Sequence, residues 1–441
     1  MIKGLTALIA VLLGAMPAPA LAGAPPLRPG AGGVAAGLCL AYRRPARELA
    51  LSCEQALAEY GGDARRLSVL HTNFGRALDE LGRREAARAQ YRLAIGLQPL
   101  APAPWRSLGW SLWSDDRYAE AERAFRRALA LRVSADSLAG LAASLRMQER
   151  DAQEAMRLLE RALALNPGYS WAMVEKGWLH LDAGEYAEAQ DLFARALALD
   201  GEYASAAYGL ARALSWQQDF DAALGAINRA LGLEAEDTTY LAFRAFIYRQ
   251  LGEGRRALAD GMRVMALAPG SDEGYVQTAR ALALLGRMDE ALDVMQTGLE
   301  GGADSVFFHY AHADILSDAG RWEEALASID RGLRLPGVDE TDYNLRAYIL
   351  INMGRDAEAA QASRAALEFA PADLVALLNL AYAEAGQGRT DRALVALLRA
   401  RAAGLESADI DEFIMFALSN KQYLLAARVR QAMSGAGQET R

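Results

Sequence analysis

The chain has 441 residues, 52% hydrophobic and 23% charged, which is material for several domains or for one extended array. Its formal charge of −9 contains no basic block, so it repels phosphate backbones and anionic lipid heads and is a poor match for nucleic acid or a membrane surface. Abundant Ala and Leu with little Val-Ile-Thr alternation exclude a sheet-based fold and predict an all-α one.

At the start, Lys3 precedes an apolar run over residues 5–13, and Ala20-Leu21-Ala22 supplies a small-x-small site. This pattern predicts a secretory signal peptide over residues 1–22, cut after Ala22, and a periplasmic or secreted location. A retained anchor is the alternative, although the run is short for a bilayer span. Residues 23–37 are rich in Gly, Pro and Ala and read as a disordered linker.

The two cysteines, Cys39 and Cys53, fall in the next segment, a helical cap predicted over residues 38–66. In an oxidising compartment they can pair, provided they lie on antiparallel helices joined by a bend at Arg43-Arg44-Pro45. Two unrelated buried thiols are the alternative. Neither reading makes them catalytic, since no Cys-x-x-Cys or nearby His is present.

From residue 67 to residue 406 one period of 34 residues dominates. Steps of 34 from Ala87 land on Ala121, Ala155, Ala189, Ala223, Ala257, Ala291, Ala325, Ala359 and Ala393. Twelve residues earlier in each unit stands another small residue: Gly75, Gly109, Ala143, Gly177, Ala211, Ala245, Ala279, Ala313, Ala347 and Ala381. Two helices approach closely only where neither carries bulk, so these columns predict where the two helices of each unit cross. Between them Gly82, Gly184, Gly252, Gly286, Gly320, Gly354 and Gly388 mark a turn, with Asp116, Arg150 and Gln218 at the same place in three units. Bulky residues such as Tyr91, Phe125 and Phe193 follow the Ala column by four, and Pro99, Pro167, Pro269 and Pro371 close units.

A small residue, turn Gly, Ala, large apolar residue, Ala-Leu and Pro at these offsets resemble the tetratricopeptide repeat. The resemblance implies an α-solenoid, a right-handed superhelix of about ten helix-turn-helix units with helical caps. The third unit departs at Arg146 and Arg150, the sixth at Gly261 and the ninth at Ser363. The segment around Cys39 and Cys53 is similar to the Cys-linked hairpin that precedes such repeats in exported bacterial proteins. Residues 407–433 read as closing helices and residues 434–441 as a disordered tail.

Catalytic signatures are missing: the sequence holds no Gly-x-Ser-x-Gly elbow, phosphate loop, His-Glu-x-x-His or dinucleotide fingerprint, so no enzyme, cofactor or metal role is expected. His309 and His312 share a helix face near Asp314, but the register places them in packing columns. In tetratricopeptide arrays the first helices line the concave face, at the second, fifth, ninth and twelfth positions counted from Ser68. The ninth reads Arg76, Trp110, Ser144, Trp178, Arg212, Phe246, Arg280, Asp314, Tyr348 and Tyr382, and five of these ten are aromatic.

With Trp113, Trp171, Tyr208, Phe307 and Tyr310, and with Arg106 and Arg249, this column predicts a groove of rings interleaved with guanidinium groups. About half of the rings are expected to pack against neighbouring units. The resemblance implies a non-enzymatic scaffold holding a protein or peptide in its groove, within an envelope assembly or secretion complex. A carbohydrate-binding adaptor of a polysaccharide export system is the alternative, because flat rings also suit sugar faces.

Overall fold

The computed structural model describes residues 34–41, 45–59 and 62–435. They form 24 α-helices and, among the described residues, no strand. The described residues divide into two compact units, those up to residue 235 and those from residue 236, which are described in turn.

The first unit contains α1 (Val34–Ala41), α2 (Ala46–Glu59), α3 (Ala64–Glu80), α4 (Arg84–Leu97), α5 (Pro102–Trp113), α6 (Tyr118–Leu131), α7 (Ala135–Met147), α8 (Ala152–Leu165), α9 (Ser170–Asp182), α10 (Tyr186–Leu199), α11 (Ala204–Trp216) and α12 (Phe220–Leu233). The second contains α13 (Thr238–Gln250), α14 (Gly254–Leu267), α15 (Asp272–Leu284), α16 (Met288–Glu300), α17 (Val306–Asp318), α18 (Trp322–Gly332), α19 (Glu340–Asn352), α20 (Asp356–Phe369), α21 (Leu374–Gly386), α22 (Thr390–Ala402), α23 (Ser407–Ser419) and α24 (Tyr423–Gly435). Within each unit consecutive helices pair as hairpins, and successive hairpins stack. This is an all-α solenoid architecture.

The two small columns are the hairpin contacts. All ten column alanines, Ala87 through Ala393, are completely buried. Gly75, Gly109 and Gly177 face Tyr91, Phe125 and Phe193, and a Cβ on any of them would stand under 3.0 Å from the ring. Where the column carries alanine, as at Ala143, Ala211, Ala279, Ala313 and Ala381, the large residue in register is aliphatic: Leu159, Ile227, Met295, Ile329 and Leu397. Glycine therefore accompanies rings and alanine accompanies aliphatics in eight of the ten hairpins, the exceptions being Ala245 with Gly261 and Ala347 with Ser363.

Turn chemistry follows the sequence with one exception. The column glycines adopt φ between 70° and 78°, the left-handed conformation that costs glycine nothing, and Asp116 and Gln218 take it at 58° and 64°. In the third repeat the left-handed residue is Glu149, not Arg150. That turn closes one residue early, with the Arg150 N–H donating to Leu145 O, and Asp151 absorbs the surplus residue at φ 37° while capping the Glu154 N–H. The four helices before Pro99, Pro167, Pro269 and Pro371 end two residues ahead of each proline.

At the N-terminal side a disulfide joins Cys39 of α1 to Cys53 of α2, with Cα atoms 4.7 Å apart. Asn73 Nδ2 of α3 donates to Cys39 O at 3.0 Å and ties this pair to the first repeat. The expected signal peptide lies outside the described residues, as do residues 23–33 of the expected linker and Arg43 and Arg44 of the expected bend. Residues 34–37 are helical, and α24 runs to Gly435, two residues into the stretch read as a tail. No helix among the described residues is long and apolar enough to cross a membrane.

Candidate functional site

In the first unit the ninth-position residues do not stand alone. Asp136, at the start of α7, accepts hydrogen bonds from Trp110 Nε1 and from the Tyr169 hydroxyl, both at 3.0 Å, and pairs with Arg106 Nε at 3.0 Å. One carboxylate thus orients residues from α5 and from the link before α9. Burial, then the charge of Asp136, pushes the Tyr169 hydroxyl well above its usual range and keeps it a donor.

Around this anchor Trp110 meets Trp171 edge to face at 4.8 Å and 89°, and Trp113 at 6.0 Å and 75°. Trp113 and Trp171 close the triangle at 6.1 Å, and Trp110 also packs on Phe125 at 5.1 Å. All three indoles are half-buried, and Trp113 Nε1 is buried without a hydrogen-bond partner. Further along, Trp178 packs on Phe193 at 5.1 Å and on Tyr208 at 5.9 Å. The Arg212 guanidinium lies 5.5 Å from the Trp178 ring and 5.9 Å from the Tyr208 ring, within cation–π range of both. Tyr208 is only 7% exposed, so it backs this arrangement and does not offer a face to a ligand. Arg76 is half-buried and lines a cavity with Arg65 and Arg106.

In the second unit Phe246 stacks on Phe243 at 5.6 Å and carries Arg249 at 5.7 Å from its ring. Arg280 lies 5.9 Å from the Phe307 ring and 6.0 Å from the Tyr310 ring. Tyr348 is half exposed at 48% and touches Trp322 edge-on at 6.1 Å. Tyr382 packs between Phe413 at 5.1 Å and Phe416 at 4.8 Å, and burial pushes its hydroxyl up to about 12. In each unit the column therefore supplies half-buried rings and guanidinium groups whose positions are fixed by packing.

His309 and His312 are held by packing and by Ser328. His309 is buried, with Nε2 at 2.9 Å from Asp304 and Nδ1 at 3.3 Å from Ser328, and His312 Nδ1 shares the same serine at 3.2 Å. Burial, then repulsion from His309, pushes the His312 imidazole down to about 4. Among the described residues no group of three or more His, Cys, Asp or Glu is placed to hold a metal ion.

Sequence reasoning missed Asp136 and Tyr169. An acid stands at the same first position only in two other units, as Asp272 and Glu340, and the role of Asp136 shows only when Arg106 and Trp110 converge on it.

The fold and this column together describe a helical-hairpin repeat. Family models described as tetratricopeptide repeat match residues 72–137, 146–195, 180–246 and 343–373, so the chain carries tetratricopeptide repeats. Comparison with curated proteins finds no match. Among solved structures, yeast Tom70 is similar at 14% identity and a TM-score of 0.54, over 90% of this chain and 99% of that one. PilF of Pseudomonas aeruginosa is similar at 20% identity and a TM-score of 0.43, over 48% of this chain and 96% of that one. Tom70 supports the solenoid fold.

Proposed function

We propose that this chain is a non-enzymatic, exported scaffold that holds an extended protein segment on the faces formed by its first helices, as part of an envelope assembly or secretion complex. The observation that carries the reading is the alternation of partly exposed rings with guanidinium groups, such as Trp178 with Arg212 and Phe307 with Arg280. Rings pre-fixed by packing lose little entropy on binding, and guanidinium groups beside them add directional donors for peptide carbonyls and carboxylates. The Cys39–Cys53 disulfide supports export, because such bonds persist in oxidising compartments.

A peptide fits better than a glycan. Sugar rings lie flat on indoles, whereas Trp110, Trp113 and Trp171 turn edges toward one another at 75° to 89° and occupy much of each other's faces. Titration of the purified chain with glycan oligomers and with peptide pools, followed by tryptophan fluorescence, tests this. Saturable change with peptides that is lost in Trp178→Ala supports the proposal. Saturable quenching by glycans alone, lost in the same variant, sinks it.

A further inference from the structure

Arg249 of α13 and Arg280 of α15 line a cavity of about 290 Å³ together with Asp314 and Asp318 of α17. Arg212 on α11 lies over aromatic rings, but four other arginines on first helices close on carboxylates. Arg106 meets Asp136 at 3.0 Å, Arg146 meets Glu175 at 3.0 Å, Arg244 meets Asp260 at 2.7 Å and Arg346 meets Asp330 at 2.6 Å. Arg249 makes no ion pair among the described residues, and Arg280 comes no nearer than 3.8 Å to Asp314. The Nε of each is buried and lacks a hydrogen-bond partner.

The two guanidinium groups repel each other, and Glu273 of α15 and Asp314 offset this only by attraction at longer range, while Asp314 and Asp318 reach solvent on the opposite wall. Burial, then repulsion from Arg280, lowers the Arg249 guanidinium to about 10, and burial raises the Asp314 carboxyl. A buried guanidinium with no carboxylate in direct contact is costly, and a chain that pairs Arg244 bidentately on the same helix has the means to avoid that cost. Leu284 and Ile315 add apolar wall for a side-chain stem.

We propose that this cavity receives an adjacent acidic and basic side chain of a bound peptide, the carboxylate between Arg249 and Arg280 and the ammonium against Asp314 and Asp318. The inference rests on the peptide-binding reading and deepens it. A purely anionic ligand would meet two aspartates, and a purely cationic one two arginines. A ligand that carries both charges is attracted by both walls.

The test uses the full chain with 15N-labelled arginine and tryptophan, titrated with a capped acetyl-Ala-Glu-Lys-Ala-amide peptide. The Nε–H signals of Arg249 and Arg280, assigned through Arg249→Lys and Arg280→Lys, shift with this peptide. Replacing either its Glu or its Lys by Gln weakens the response about tenfold. Asp314→Asn removes the preference for Lys over Gln while leaving that for Glu. Arginine signals that stay still at millimolar peptide overturn the proposal, and leave the broader reading standing where the Trp178 indole signal still moves. A response to Glu that ignores Lys also overturns it, since the cavity would then be a simple anion site.

Discussion

Phe125 lies so close across Gly109 that a methyl group on the glycine would stand 2.8 Å from the ring. The same ring covers Gly140 of the next hairpin, so one aromatic side chain sets the spacing both within a repeat and between repeats. Gly109→Ala is therefore expected to destabilise the fold by about 2 kcal/mol, the usual cost of overpacking a filled core. Phe125→Leu in the same background restores at least half of the loss, because Ala with Leu is the pairing found at Ala143 and Leu159. Denaturant unfolding of the two variants decides this; equal destabilisation in both would show that the volumes are not exchanged across the hairpin.

Gln218 holds a left-handed turn, φ 64°, that glycine holds in seven other repeats. For a residue with a Cβ this conformation costs about 1 kcal/mol. Gln218→Gly should raise the thermal midpoint, and Gly320→Ala, at φ 70°, should lower it. A fall in the midpoint of Gln218→Gly would contradict the assignment of strain to that turn.

Asp79 accepts hydrogen bonds from the Tyr91 hydroxyl at 2.7 Å and the Ser111 hydroxyl at 2.9 Å, yet burial outweighs them and raises its carboxyl to about 6. The folded state thus prefers the protonated acid. Its contribution is full below the ordinary value near 4 and is lost as pH rises through about 6. Asp79→Asn, which stays neutral, should gain on the parent by about 1 kcal/mol between pH 4.5 and pH 7.5, after allowance for solvent screening. Paired denaturation curves at those two pH values give the answer, and a gain that shrinks with rising pH would refute it.

Removing the disulfide with Cys39→Ser and Cys53→Ser should release about 3 kcal/mol of constraint on a loop of this length. In a stack where each hairpin touches mainly its neighbours, the effect is local. Hydrogen exchange should accelerate in α1, α2 and α3 and stay unchanged in α9 and α10. Uniform acceleration across the first unit would instead mean that the cap governs its whole stability.

Much of this architecture could be read from the residues because its determinants are periodic. A 34-residue step places Ala87 and its successors at one contact, and every one of them is buried to zero exposure. What escaped the reading depends on particular neighbours. The early turn at Glu149 reflects a one-residue slip that the period hides, and the burial of Tyr208 follows from Trp178 and Arg212 covering it. Asp136 gathers Arg106, Trp110 and Tyr169 from segments about thirty residues apart, a convergence that no local pattern encodes.

Photocrosslinking in the source cells tests the scaffold account most directly, with a photoreactive residue placed in turn at Trp178 and Tyr348 on the ring-bearing column and at Leu93 and Leu398 on exposed second-helix positions. The account predicts covalent capture of the same protein partner from Trp178 and Tyr348 and none from Leu93 or Leu398. Capture confined to Leu93 and Leu398 would contradict it.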